Sequence, residues 1–156
     1  KPSTIVFFNN DSLNENYSFL KAKRADLKAK HEKLQKELKG QAEQFQADYE
    51  KYAQQGASMT MEQRAKTEEN LMQRRDELAQ NEKRQMSKLE EESDRINDEL
   101  YNNLDVFLKD LNKTRNYDFI MAHSRGSQIM LANVSLDITR EVVDGLNKRY
   151  EGTTKK

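Results

Sequence analysis

Leu20, Leu27 and Leu34 recur every seven residues, and Leu38, Phe45 and Tyr52 continue the spacing after an offset of four. After a gap at residues 56–60, GASMT, the spacing returns. Leu71 and Leu78 resume it, then Leu89 and Ile96, while Met86, Leu100 and Phe107 form a further row in which Ser93 takes one place. One or two apolar positions per two helical turns make the seam of a two-stranded coiled coil, too thin for the core of a bundle. Residues 15–115 are otherwise nearly free of strand formers, so this stretch can bury itself only along that line.

The interruption predicts a reversal. Gly56 suits the left-handed position that ends a helix, and Thr60 with Gln63 forms a capping box that starts the next one. Folding about residues 57–58 sets residue i opposite one near 115 − i. Residues 21–40 carry eight basic and three acidic side chains, and residues 88–100 carry two basic and six acidic. An antiparallel hairpin therefore sets opposite charges face to face. Exposed pairs are worth only about 0.2–1 kcal/mol each, so they select register more than they stabilise. The two arms, of about 40 and 55 residues, would measure roughly 60 and 80 Å. Gly40 inside the first arm reads as a soft spot costing about 1 kcal/mol relative to alanine.

Composition decides between such helices and disorder. The chain has 156 residues, 35% hydrophobic and 35% charged, more polar than a compact globule. Its 27 basic residues balance 27 acidic ones, and Pro2 is the one proline, whereas disorder usually brings high net charge and many prolines. Zero net charge argues against nucleic acid as a partner. The basic tract KAKRADLKAKHEKLQKELK lacks interleaved aromatics and faces its own acidic strip. No run of about 20 apolar residues occurs, so no transmembrane segment is expected, while peripheral contact with a membrane is left open. The absence of cysteine excludes disulfides and thiol catalysis. His31 stands in the seam seven residues before Leu38, and His123 precedes a turn, with no metal partner for either in view. No phosphate loop or nucleophile motif appears. Hence no catalytic residue, metal site or cofactor is expected, and the chain does not read as an enzyme.

The two ends differ from the middle. IVFF at residues 5–8 reads as a buried strand and NND after it as a turn. DFIMAHS and QIMLAN read as two more strands, joined by a turn containing Gly126. A final amphipathic helix runs through Ile138, Val142, Leu146 and Tyr150, with Asp137 as its N-cap. Strands with apolar residues at consecutive positions want both faces buried, and three short strands with one helix cannot supply that alone. Several copies pooling strands would, through Ile5, Val6, Phe7, Phe8, Phe119, Ile120, Ile129 and Leu131.

The hairpin offers a second group of candidates. Phe45, Tyr49 and Tyr52 share a helix face, either packing in the seam or forming an aromatic stripe for apolar partners. Met59, Met61 and Met72 lie near the tip. Met59 and Met61 are hard to bury in a two-helix turn and are expected exposed, either touching a partner or simply solvated.

The order strand, long hairpin, two strands, amphipathic helix resembles the Skp (OmpH-like) family of periplasmic chaperones. IVFFNNDSLNENY, NYDFIMAHSRGSQIMLAN and SLDITREVVDGLNKRY carry the local likeness, which with the hairpin covers nearly the whole chain. Prefoldin has a similar outline, but its strands lie between its helices. The resemblance implies an α+β fold: a small β-body shared between three chains, with a long antiparallel α-helical coiled-coil hairpin arm on each. It divides the chain into residues 1–18 for the first part of the body, 19–97 for the arm with its turn near 56–60, and 98–156 for the rest. It implies a homotrimeric holdase in the periplasm. Unfolded outer-membrane proteins would be held without ATP in a cavity between the arms, with Phe45, Tyr49, Tyr52, Met59, Met61 and Met72 as client contacts. A chain beginning at Lys1 fits a removed leader. Well-known members are strongly basic and this chain is neutral, so no lipopolysaccharide-binding residues are carried over. The other reading is a structural coiled-coil spacer or scaffold that binds a folded partner.

Overall fold

The structure is a computed structural model that describes residues 4–155; Lys1, Pro2, Ser3 and Lys156, the ends of the two expected body segments, lie outside the described residues. Its elements in order are β1 (Ile5–Asn9), α1 (Asn10–Asn16), α2 (Ser18–Gln55), α3 (Met61–Arg115), β2 (Phe119–His123) and α4 (Thr139–Thr154). The fold is α+β, with two long helices and a two-stranded sheet. The chain forms two compact units. One comprises residues up to 26 and from 94 onward, and the other residues 27–93.

In the first unit β1 and β2 pair in parallel, Ile5 opposite Phe119 through Asn9 opposite His123. Such a pair needs a long crossover, which the three intervening helices provide. Alternation along β1 puts Val6 and Phe8 inside, while Ile5 stays 43% exposed. Leu13 of α1, Leu20 of α2, Leu104 and Phe107 of α3, and Val142 and Leu146 of α4 complete this core. The helix α1 forms where the sequence suggests only a turn. It starts where Asn9 accepts a hydrogen bond from the Ser12 N–H at 2.9 Å, a side-chain cap. α3 ends at Asn116, a residue in left-handed conformation at φ 53°, which short polar side chains tolerate. The Asn112 amide fastens that corner, donating to the Tyr117 carbonyl at 3.0 Å and accepting from its N–H at 2.7 Å.

One expected strand does not form. Among the described residues, QIMLAN at 128–133 pairs with no strand, so Ile129 and Leu131 are not in a sheet. β1 offers it no edge, since β1 meets β2 on one side and on the other Phe7 bridges Asp137 while its carbonyl accepts the Ile138 N–H at 2.8 Å, and after the Gly126 turn residues 128–133 do not run back along the outer edge of β2, which stays unpaired in the sheet. A strand without a partner has unpaired backbone groups and does not persist as sheet. The turn through Gly126 is present, with φ 83°.

The second unit is the helical hairpin. Its turn falls where GASMT predicts, but by another route. Gly56 does not adopt a left-handed conformation. Residues Gly56–Ser58 tighten into a 3-10 turn, and side chains absorb the free carbonyls: Ser58 donates to the Gln55 carbonyl at 2.8 Å and Arg64 to that of Gly56 at 2.7 Å. The capping box is present in both directions. The Gln63 N–H donates to Thr60 Oγ1 at 3.1 Å, and the Thr60 N–H to Gln63 Oε1 at 3.0 Å. Thr60→Ala is therefore expected to cost about 1 kcal/mol locally. Hydrogen exchange at the first amides of α3 measures it, and unchanged protection there would contradict the assignment.

The register also differs. Lys30 reaches Glu92 at 2.6 Å, Asn81 reaches Gln41 at 3.5 Å, and Arg74 pairs with Asp48. Each pair sums to 122, so residue i faces 122 − i, one heptad away from the expected 115 − i. The 3-10 turn prolongs the first arm before the chain reverses at Met59 and Thr60, and a shift of seven residues keeps the seam aligned.

Candidate functional site

The hairpin seam is thin. Within residues 27–93 Leu34 alone is buried, at 9% exposure, and Leu27, Leu38, Leu71, Leu78 and Leu89 are half-buried. Of the aromatic candidates, Phe45 and Tyr52 are half-buried in the seam, and Tyr49 is 52% exposed. The Tyr52 hydroxyl donates to Glu68 across the hairpin, and that carboxylate beside it raises the Tyr52 pKa from its ordinary value of 10.0. The face thus divides: two aromatics serve the seam and one stands outside it. Near the tip Met61 is 91% exposed and Met72 59%. Met59 is half-buried, contrary to expectation, because its N–H closes the 3-10 turn on the Gly56 carbonyl and the chain folds back there. Met86 is exposed rather than seated in the seam row. Periodicity alone does not distinguish it, because a methionine beside a seam and one inside it differ by only part of a helical turn.

The first unit presents a different surface. Val6 and Phe8 are buried within the chain, while Phe7, Ile120 and Ile129 are half-buried. Phe119 is 60% exposed and Leu131 93%, and they share the unit with exposed Met121, Met130 and Val134. Isolated exposed apolar residues are ordinary; these five are large apolar side chains of β2 and the segment after it that the single chain leaves in solvent.

The segment LDITREVVDGLN acquires a physical meaning in this unit. Asp137 accepts the Thr139 N–H at 2.8 Å and so fixes the start of α4, although the residue at the cap position is Ile138. Thr139 Oγ1 accepts the Asn9 N–H at 2.8 Å, where β1 passes into α1. Asn147 joins α4 to the α1–α2 corner: its Oδ1 accepts the Ser18 N–H at 2.8 Å and its Nδ2 donates to the Asn16 carbonyl at 3.0 Å. Gly145 lies against the Phe107 ring, where an added Cβ would sit 2.3 Å from two ring carbons. The family model "Outer membrane protein (OmpH-like)" matches residues 4–146, which takes in Asp137, Thr139 and Gly145 and ends one residue before Asn147.

The chain belongs to the OmpH-like family. The matched region takes in β1, the whole hairpin, β2 and α4 as far as Leu146. A solved OmpH-like protein from Caulobacter crescentus CB15, assigned there as an outer membrane chaperone, superposes with a TM-score of 0.82. The likeness covers 96% of this chain and 86% of that one at 17% identity, which establishes the shared OmpH-like fold. No curated protein matches the chain.

Ion pairs decorate the first unit of this OmpH-like chain. Asp110 accepts from Lys113 and from Arg149, each at 2.8 Å, and these two bonds hold its carboxyl below the ordinary value of 3.8. Arg149 also stacks over the Phe107 ring at 5.1 Å. Burial raises the Tyr17 pKa above 10.0, against the lowering effect of the Asn103 amide that donates to its hydroxyl at 3.3 Å. Among the described residues no three histidine, aspartate or glutamate side chains group as metal ligands, and no helix is long and apolar enough to cross a membrane. His123 instead faces Ser127 at 3.2 Å and stacks edge-on with Phe7.

Proposed function

We propose that this OmpH-like chain is an ATP-independent holdase of the periplasm, binding unfolded outer-membrane proteins and preventing their aggregation. Three copies would share the β-body through Ile5, Phe7, Phe119, Ile120, Ile129 and Leu131, with Val6 and Phe8 already buried behind them within each chain, and residues 19–97 would serve as the arm. Clients would be held in the cavity between three arms, with affinity built from many weak contacts and avidity. The observation that carries this reading is the hairpin's own economy. Residues 27–93 bury one side chain, yet display Tyr49, Met61 and Met72 to solvent. A segment serving only as a spacer has no need of exposed methionines and a tyrosine, whereas flexible thioethers suit partners of varied sequence.

The test is light scattering from a β-barrel outer-membrane polypeptide diluted out of urea, without nucleotide. The chain is expected to suppress aggregation, and added ATP to change nothing. With a net charge of zero, suppression should fall little between about 50 and 500 mM salt. Aggregation at the uninhibited rate, with capture of a folded partner instead, overturns the proposal in favour of a scaffold.

A further inference from the structure

The hairpin has two unlike flanks. On α2, Lys30, Gln41 and Asp48 stand three positions after the seam residues Leu27, Leu38 and Phe45. On α3, Glu92, Asn81 and Arg74 stand three positions after Leu89, Leu78 and Leu71. These six are residues that pair across the hairpin. At roughly 100° per residue, an offset of three falls about 60° to one side of the seam. The exposed apolar residues fall on the other side. Tyr49 is four after Phe45, Met72 is one after Leu71, Met86 is three before Leu89, and Met61 is ten before Leu71. These offsets turn by roughly 40–100° in the opposite sense. Because the paired offsets of both helices meet on one flank, the opposite offsets share the other. Tyr49, Met61, Met72 and Met86 are all the large apolar side chains that residues 27–93 expose. All four lie on the flank away from those two ion pairs and the Asn81–Gln41 hydrogen bond.

The chemistry of that flank limits what can sit on it. α2 contributes His31, Ala42 and Gly56 at the same offset as Tyr49, so no charge interrupts it there. Between Met61 and Met86, α3 contributes Ala79 beside the methionines, with Glu68, Arg75 and Glu82 as its charges. Glu68 already accepts from Tyr52, and Arg75 is paired with Asp76 at 3.1 Å. Two acids against one base give no complement to an anionic lipid or an acidic protein. Along α3, Met61, Met72 and Met86 are separated by eleven and fourteen residues, roughly 16 and 21 Å. Contacts so spaced do not make the contiguous patch of about 800 Å² that a stable folded interface needs. They do suit an extended chain that touches at intervals.

We propose that this flank, carrying Tyr49, Met61, Met72 and Met86, holds uncharged, apolar extended stretches of an unfolded polypeptide. The proposal rests on the holdase reading and adds which surface does the holding.

Photo-crosslinking in the full chain tests it. A benzophenone side chain is placed at Tyr49, Met72 or Met86 on one flank, and at Gln41, Glu77 or Asn81 on the other. The probe is the same urea-diluted β-barrel polypeptide. Adducts are expected to favour the methionine flank by about tenfold. Met72→Gln with Met86→Gln, which preserves helix propensity, is expected to weaken client affinity by about the same factor. Gln41→Ser with Asn81→Ser is expected to leave affinity unchanged. Equal labelling of the two flanks, or preference for the ion-paired one, overturns the assignment while normal aggregation suppression leaves the holdase reading standing. Loss of suppression in the parent chain overturns both. Adducts between copies of the chain without client, or loss of binding to phosphatidylglycerol vesicles in the Met→Gln pair, would give the flank to self-association or to lipid and likewise overturn it.

Discussion

On the proposed three-chain body, Leu131→Lys is expected to give a monomer eluting near 18.3 kDa, and the parent a species of about three times that mass. The side chain is 93% exposed within its own chain, so the substitution removes no packing there and the far-ultraviolet circular dichroism and melting of a single chain should be unchanged. Its cost arises only if Leu131 is buried against another copy. An unpaired ammonium buried in a shared apolar core is penalised by several kcal/mol, enough to dissociate it at micromolar concentration. Column light scattering decides the matter. A parent chain that already runs as a stable monomer, or a variant that stays assembled, removes residues 128–133 from the interface.

Gly145→Ala is expected to lower the stability of the first unit by roughly 1–3 kcal/mol, the usual range for overpacking. The added methyl would stand 2.3 Å from Cε2 and Cζ of Phe107. That ring has little freedom to retreat, being 7% exposed and covered by Arg149. Urea unfolding followed by circular dichroism measures the loss, and Phe107→Leu in the same chain should recover part of it by vacating the ring's edge. If Gly145→Ala unfolds at the parent's midpoint, the close approach of α4 to α3 does not matter to stability.

The contact explains a glycine that local reasoning cannot. Gly145 lies inside a helix, where glycine weakens the backbone, and nothing in its neighbours along the chain asks for it. Its reason is the Phe107 ring, far earlier in the chain. Asn147 is similar: in sequence it is a polar residue on a helix, and its two bonds to the α1–α2 corner exist only once the chain has folded.

The seam, the turn and the capping box are local signals, and they are readable because period and capping act over a few residues. The same holds for α4 and for β1. The register inferred from charge lies one heptad off because a seam repeats every seven residues and charge bands are broad; the 3-10 turn at Gly56–Ser58 chooses between neighbouring registers. QIMLAN has strand composition, but composition cannot tell how the chain leaves the Gly126 turn: β1 is occupied on both sides, and residues 128–133 do not return along the outer edge of β2. Of the candidate contacts, Tyr49, Met61 and Met72 stand in solvent, while tertiary packing returns Phe45 and Tyr52 to the seam, half-buries Met59 and leaves Met86 exposed. By itself, then, the sequence determined the helices, their reversal and their thin seam, since these follow from short-range periodicity. Tertiary structure alone decided which register closes, which glycine is indispensable and which flank stays bare, since each depends on atoms brought together from distant parts of the chain.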